Sequence, residues 1–111
     1  MKGPDRGEVW LVDLGMTASI RPAVVIGTAT EDSDRALVTI VPHTTGVRHS
    51  RFEAAVSVPF LQAGVFDAQH IVTVPQTKLI RALGKLGGAH LAIVERAVCL
   101  WLGLPPTRSG A

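Results

Sequence analysis

Short apolar runs separated by turn residues fill most of the chain, a pattern of strands more than of helices. Glu8-Val9-Trp10-Leu11-Val12-Asp13-Leu14 is rich in β-branched and aromatic residues and begins after Gly7. Pro22-Ala23-Val24-Val25-Ile26-Gly27 is too short for a typical helix and too uniformly apolar for an exposed strand. It reads as a central strand covered on both faces, with proline first, where a missing N–H does least harm. Ala36-Leu37-Val38-Thr39-Ile40-Val41 repeats the pattern and ends at Pro42. Phe52-Glu53-Ala54-Ala55-Val56 alternates weakly, and Ala68 to Val74 makes a fifth segment before Pro75. Polar loops, Thr28–Asp34 and Thr44–Ser50, lie between these runs.

The tail changes period. Leu91, Val94, Val98 and Trp101 recur three or four apart, and Ile93, Ala97, Leu100 and Leu104 form a second apolar row. Both rows predict one helix from about Ala89 to Leu102, stopped by Gly103 and Pro105-Pro106. A face that wide covers a barrel end or meets a second subunit. Gln76 to Leu83 reads as a shorter helix closed by Gly84. Five or more short strands with one late helix predict a mainly β fold, a small, strongly bent sheet or SH3-like β-barrel with a C-terminal α-helix.

Composition bounds this picture. The chain has 111 residues, 47% of them apolar and 18% charged. That length suits one domain, 1–111, which buries roughly two-thirds of the surface its unfolded chain exposes. Cys99 has no partner in the chain and sits in Ala97-Val98-Cys99-Leu100-Trp101, which reads as a small buried hydrophobe. Met1 to Arg6 lacks the apolar stretch of a signal peptide, and Glu95 and Arg96 interrupt the most apolar window before it nears the ~20 residues a bilayer needs. The expectation is a soluble, cytoplasmic protein with no membrane partner. The mean hydropathy of +0.32 is high for so small a protein, and points to apolar surface covered by another chain.

Charge is unevenly placed. Residues 1–34 carry three Lys/Arg against six Asp/Glu, a net of −3; residues 35–111 carry eight against three, a net of +5. A mild basic bias permits an anionic partner, and an ordinary solvated surface gives the same count.

Several chemistries are excluded by spacing. His43, His49, His70 and His90 stand six or more apart, with no Cys or carboxylate at ligand spacing. Gly84, Gly87 and Gly88 do not open a phosphate-binding helix, and no Ser-centred nucleophile elbow exists. Two elements remain. Arg21 ends the loop Gly15–Ile20 and immediately precedes an apolar strand, where a guanidinium can fork onto a phosphate or carboxylate, or cap loop carbonyls. Val41-Pro42-His43-Thr44-Thr45 ends a strand in two hydroxyls and an imidazole, which suit either an oxyanion or a self-bonded turn.

Arg6-Gly7-Glu8-Val9-Trp10-Leu11-Val12-Asp13-Leu14 followed by Arg21-Pro22-Ala23-Val24-Val25-Ile26 resembles the opening of the PemK/MazF toxin family. The likeness continues in Val41-Pro42-His43-Thr44-Thr45, similar to that family's strand ending in Pro-x-Thr. It runs on through Ala68-Gln69, Thr73-Val74 and Leu83-Gly84-Lys85-Leu86 to Leu100-Trp101-Leu102-Gly103-Leu104, so it covers about residues 6–104 in order. The resemblance implies an SH3-like barrel with a C-terminal helix, working as a homodimer. It implies the toxin of a type II toxin–antitoxin system, an endoribonuclease (mRNA interferase) that cuts single-stranded RNA at short sequences without metal or cofactor, leaving a 2′,3′-cyclic phosphate and a 5′-hydroxyl. It also implies a cognate antitoxin as partner, an acidic and partly disordered chain. The family's catalytic arginine falls on Arg21 and its catalytic threonine on Thr44. A protein-binding toxin of the gyrase-poisoning kind and a degenerate member that only binds an antitoxin are the alternatives; the joint presence of Arg21 and Thr44 favours the nuclease.

The proton acceptor is unaccounted for. Arg21 stays protonated and makes a clamp, not a base. His43 has the right intrinsic chemistry for a base, but on an extended strand it points away from Thr44, which favours a packed or RNA-stacking residue. The loop before Arg21, Met16-Thr17-Ala18-Ser19-Ile20, lacks the Glu, Gln and Lys that family loops often carry, and Val72 precedes Thr73 where many members have arginine. Thr45, His43 and Gln69 are candidate substrate contacts, with Gln69 matching a family glutamine to within one residue of His70. Arg48, His49 and Arg51 form a basic loop after the threonine pair, a candidate phosphate track or a solvated hairpin tip.

Overall fold

The computed structural model describes residues 3–15 and 19–105. Its strands are β1 (Glu8–Asp13), β2 (Ile20–Val25), β3 (Leu37–Thr44), β4 (Glu53–Ala55), β5 (Val65–Asp67), β6 (Val72–Pro75) and β7 (Leu79–Lys85), followed by helix α1 (Gly88–Leu102). Short 3₁₀ turns, Ala68–His70 and Gln76–Lys78, precede β6 and β7. All pairings are antiparallel, in the order β4-β5-β3-β2-β1-β7, with β6 beside β3. The path ends at β4 and β7, which do not pair with each other, so the sheet curls without closing and is a barrel only loosely.

The central run of β2 is covered on both faces, as its uniform apolarity requires. Val24 and Ile26 enter a core with Val9, Val41, Phe66 and the α1 residues Val94, Ala97 and Val98. Ala23 and Val25 point the other way, into a second core with Val12, Val38, Ile40 and Val74. β1 serves both cores because Val9 and Val12, three residues apart, fall on opposite faces of the strand. Its pairing with β7 shifts register between Val9 and Trp10 and again between Leu11 and Val12.

β3 is the hinge of the sheet. One edge pairs with β2 throughout Ile40–Pro42, whereas the other pairs with β6 over Leu37–Ile40 and with β5 at His43 and Thr44. Gly64 lies against this crossing, because a Cβ there would stand 2.3 Å from the Thr44 carbonyl oxygen and 2.8 Å from His43 Cε1. The strand therefore runs through Pro42, two residues beyond the end that the proline marks in the sequence.

α1 packs against β4 and the Ala68–His70 turn. Its first apolar row faces inward through Val94 and Val98, with Leu91 half-buried, and Gly103 closes it in the left-handed region at φ 70°. There the Leu104 N–H donates to the Cys99 carbonyl at 2.9 Å, and Cys99 itself is half-buried with a free thiol. Of the second row only Ala97 is buried; Ile93, Leu100 and Leu104 are exposed, as is Leu102. Trp101, 41% exposed, meets Phe52 edge to face at 5.1 Å. No described helix is long and apolar enough to cross a membrane.

Two expectations change. Gln76–Leu83 is not a helix: a 3₁₀ turn leads into β7, which pairs with β1 from Glu8↔Lys85 to Val12↔Leu79. Without β7, the outer edge of β1 would leave its backbone N–H and C=O groups unpaired beside the core, and that cost outweighs local helix propensity. The segment Ala68–Val74 is likewise not one strand. It opens with the 3₁₀ turn, β5 lies before it, and only Val72–Pro75 is extended.

Candidate active site

The second core runs out of apolar side chains at one end of the sheet, and polar ones continue its face. The β2–β3 register sets Ala23 opposite Pro42, and continuing it by two residues sets Arg21 opposite Thr44 on the same face. Thr44 in turn pairs with Val65 of β5. Asp67, two residues further along β5, shares that face and pairs directly with Glu53 of β4. Four strands thus deliver Arg21, Thr44, Asp67 and Glu53 to one surface. They line a cleft of about 430 Å³ with Leu14, Pro42, His43, Gly46, Arg48, His70, Val72 and Val74, a volume within the range of small-ligand sites.

Each polar group in the cleft has a fixed task. Thr44 Oγ1 accepts a hydrogen bond from the Gly46 N–H at 3.0 Å, which leaves its own proton free to donate into the cleft. The Glu53 carboxylate accepts from the Arg48 N–H at 3.1 and 3.2 Å and from the Ser50 N–H at 3.1 Å, and so shapes the loop after β3. That loop passes through His49 in the left-handed region at φ 60°. Asp67 caps the following 3₁₀ turn: Oδ1 accepts from the Gln69 N–H at 3.0 Å, and Oδ2 lies 2.6 Å from His70 Nδ1. Two guanidinium groups, Arg21 and Arg48, share the lining with two carboxylates, Glu53 and Asp67, so these four groups carry no formal excess charge.

His43 occupies the opposite face of β3. It is 3% exposed, its ring meets Phe66 edge to face at 5.1 Å, and Nε2 has no hydrogen-bond partner. Burial disfavours the imidazolium and holds its pKa below the ordinary 6.5. The alternation along β3 that separates it from Thr44 is the one the sequence predicts.

The remaining candidates fall elsewhere. Thr45 lines a neighbouring cleft with Ser19, Phe60, Gln62 and Leu83, which Arg21 and His43 also border. Arg51 lies over the Phe52 ring at 4.6 Å, and Gln69 is exposed on the 3₁₀ turn. Neither these two nor His49 lines the main cleft, whereas Arg48 does. Sequence reasoning missed Glu53, Asp67 and His70. A signal existed for the last two: an aspartate three residues before a histidine, at the end of an apolar run, is the spacing of a capped turn that folds one side chain onto the other.

A curled antiparallel sheet whose one face ends in arginine, a hydroxyl and carboxylates defines a small β protein with a mixed-charge cleft at one end of its sheet. Residues 5–102 match the model of the PemK-like, MazF-like toxins of type II toxin–antitoxin systems, and the chain belongs to that family. It is similar in structure to an endoribonuclease in complex with its cognate antitoxin from a mycobacterial species, with TM-score 0.80 and 27% identity over 93% of this chain and 98% of that one. A second mycobacterial endoribonuclease gives 0.78 and 26%, over 93% and 94%. The MazE–MazF structure from Deinococcus radiodurans, at 23% identity, shares the fold with TM-score 0.77 over 93% and 98%.

Proposed function

We propose that this chain is a single toxin domain of a type II toxin–antitoxin pair and an endoribonuclease that cuts single-stranded RNA, mRNA included, at specific sequences in the cytoplasm. The observation that carries this reading is the placement of Arg21 and Thr44 on one sheet face, on adjacent strands, at the mouth of a cleft. In-line attack by a ribose 2′-hydroxyl builds charge on the equatorial phosphate oxygens. A permanently charged guanidinium and a hydroxyl free to donate its proton stabilise that charge, and one such donor is worth roughly 3–4 kcal/mol where measured in oxyanion holes. Neither group needs a metal or cofactor to act. Arg48 adds a second cation for a flanking phosphate.

The apolar excess also has a destination. Ile20, Leu37, Val72 and Ile80 are exposed on strands, and Leu100, Trp101, Leu102 and Leu104 at the end of α1. We assign these surfaces to a homodimer and to a cognate antitoxin, whose acidic, partly disordered chain would cover apolar surface and block the RNA cleft.

Purified protein incubated with a long RNA in EDTA should cleave it at a recurrent short sequence and leave 2′,3′-cyclic phosphate ends. Arg21→Ala and Thr44→Ala should each slow cleavage about 100- to 1,000-fold. Intact RNA with the wild-type protein, or full cleavage by both variants, overturns the reading.

A further inference from the structure

Within the ribonuclease reading, on which this inference rests, we propose that His70, held by Asp67, is the proton acceptor for the attacking 2′-hydroxyl. Six of the residues that line the cleft are ionisable: Arg21, His43, Arg48, Glu53, Asp67 and His70. The two guanidinium groups do not deprotonate. The Glu53 carboxylate accepts from two backbone N–H groups, those of Arg48 and Ser50, which ties it to the loop. His43 is buried against Phe66, on the face of β3 opposite Thr44. Asp67 is engaged at both oxygens. His70 alone combines a basic nitrogen with access, its side chain being 77% exposed at the cleft rim.

The local fold orients it. β5 ends at Asp67 on the face that carries Thr44 and Glu53, and the 3₁₀ turn immediately after brings His70 back over the carboxylate. With Asp67 ionised, Nδ1–H donates to Oδ2 across 2.6 Å. That fixes the tautomer and leaves Nε2, on the far side of the ring, as the acceptor. Asp67 is thus a positioning residue and His70 the one that touches substrate.

In the step itself Nε2 takes the 2′-hydroxyl proton while the 2′ oxygen forms its bond to phosphorus. The phosphorus–O5′ bond breaks, O5′ keeps its electron pair and is protonated from water, and the imidazolium returns its proton to solvent. The products are a 2′,3′-cyclic phosphate and a 5′-hydroxyl, with no co-reactant consumed.

The test uses the full-length protein and a short fluorogenic RNA carrying the cleavage sequence mapped on the long RNA. His70→Asn and His70→Gln should lower kcat about 100-fold or more, with KM changed less than threefold. The acid limb of the wild-type kcat/KM profile should flatten in both. Added imidazole should restore part of the activity of His70→Gly but none of that of Arg21→Ala. Asp67→Asn should lower kcat about tenfold at constant KM, and Asp67→Glu should recover part of the loss. Because His70 is exposed, thermal melts of its variants should match wild type. His70 variants with kcat within threefold of wild type overturn the proposal, as does a loss that imidazole does not rescue and that leaves the acid limb in place. A wild-type protein that cuts no RNA overturns the ribonuclease reading itself, a separate outcome.

Discussion

Two histidines border the same cleft from opposite environments. His43, on β3, is buried, set edge to face against Phe66 and without a partner for Nε2. His70, on a 3₁₀ turn, is exposed and bonded to a carboxylate. The same side chain is thus a packing element in one region and a candidate base in the other. Burial and partners decide the role, because desolvation keeps an imidazole neutral, whereas a carboxylate at Nδ1 orients it and leaves Nε2 open.

The buried region should be the more fragile. Gly64→Ala presses a methyl group onto the Thr44 carbonyl and the His43 ring, and backbone gives way less readily than a flexible side chain. A loss of about 2–3 kcal/mol in urea unfolding is expected, with cleavage reduced because Thr44 moves. Wild-type stability in that variant would show that the β3–β5 crossing yields more than its packing indicates.

His43→Phe keeps the ring and removes the unpaired nitrogen. It should raise stability by about 1 kcal/mol and leave cleavage near wild type. A variant that folds well but fails to cut would move His43 from the packing region into the chemistry.

The pH dependence sharpens the same contrast. Because the folded pKa of His43 is lowered, the unfolded chain takes up a proton near pH 6.5 that the folded chain does not. His43's contribution is therefore fully present above about pH 6.5 and is lost as pH falls toward the folded pKa. The urea midpoint should drop between about pH 7.5 and pH 5.5, and by less in His43→Phe. Equal drops would assign the acid sensitivity to other groups. On the exposed side, the smallest effect is expected: His70→Asn should change unfolding free energy by no more than about 0.5 kcal/mol.

The first three strands and the helix were legible in the sequence because each carries its own burial pattern. β2 is apolar at every core position because both faces are covered, and α1 shows rows at helical spacing. β5 and β6 are three and four residues long and carry too little pattern to separate them from the turn between them. β7 reads poorly because most of its side chains are exposed; it is extended because β1 needs a partner. At the site, Arg21 stood out by its place before a strand and Val41-Pro42-His43-Thr44-Thr45 as a strand end, and the family resemblance singled out Thr44. Glu53 and Asp67 did not, since nothing local shows that β4 and β5 place them opposite each other.

The sequence alone determined the strand-rich class, the late helix and its glycine stop, and the alternation that sends His43 away from Thr44. Tertiary structure decided where β3 changes partners, which strands close on β1, and that Asp67 and His70 join Arg21 and Thr44. The reason is one of range. Alternation and capping act over a few neighbouring residues, whereas register joins backbone groups far apart in the chain, and it is register that brings four strands' side chains into one cleft.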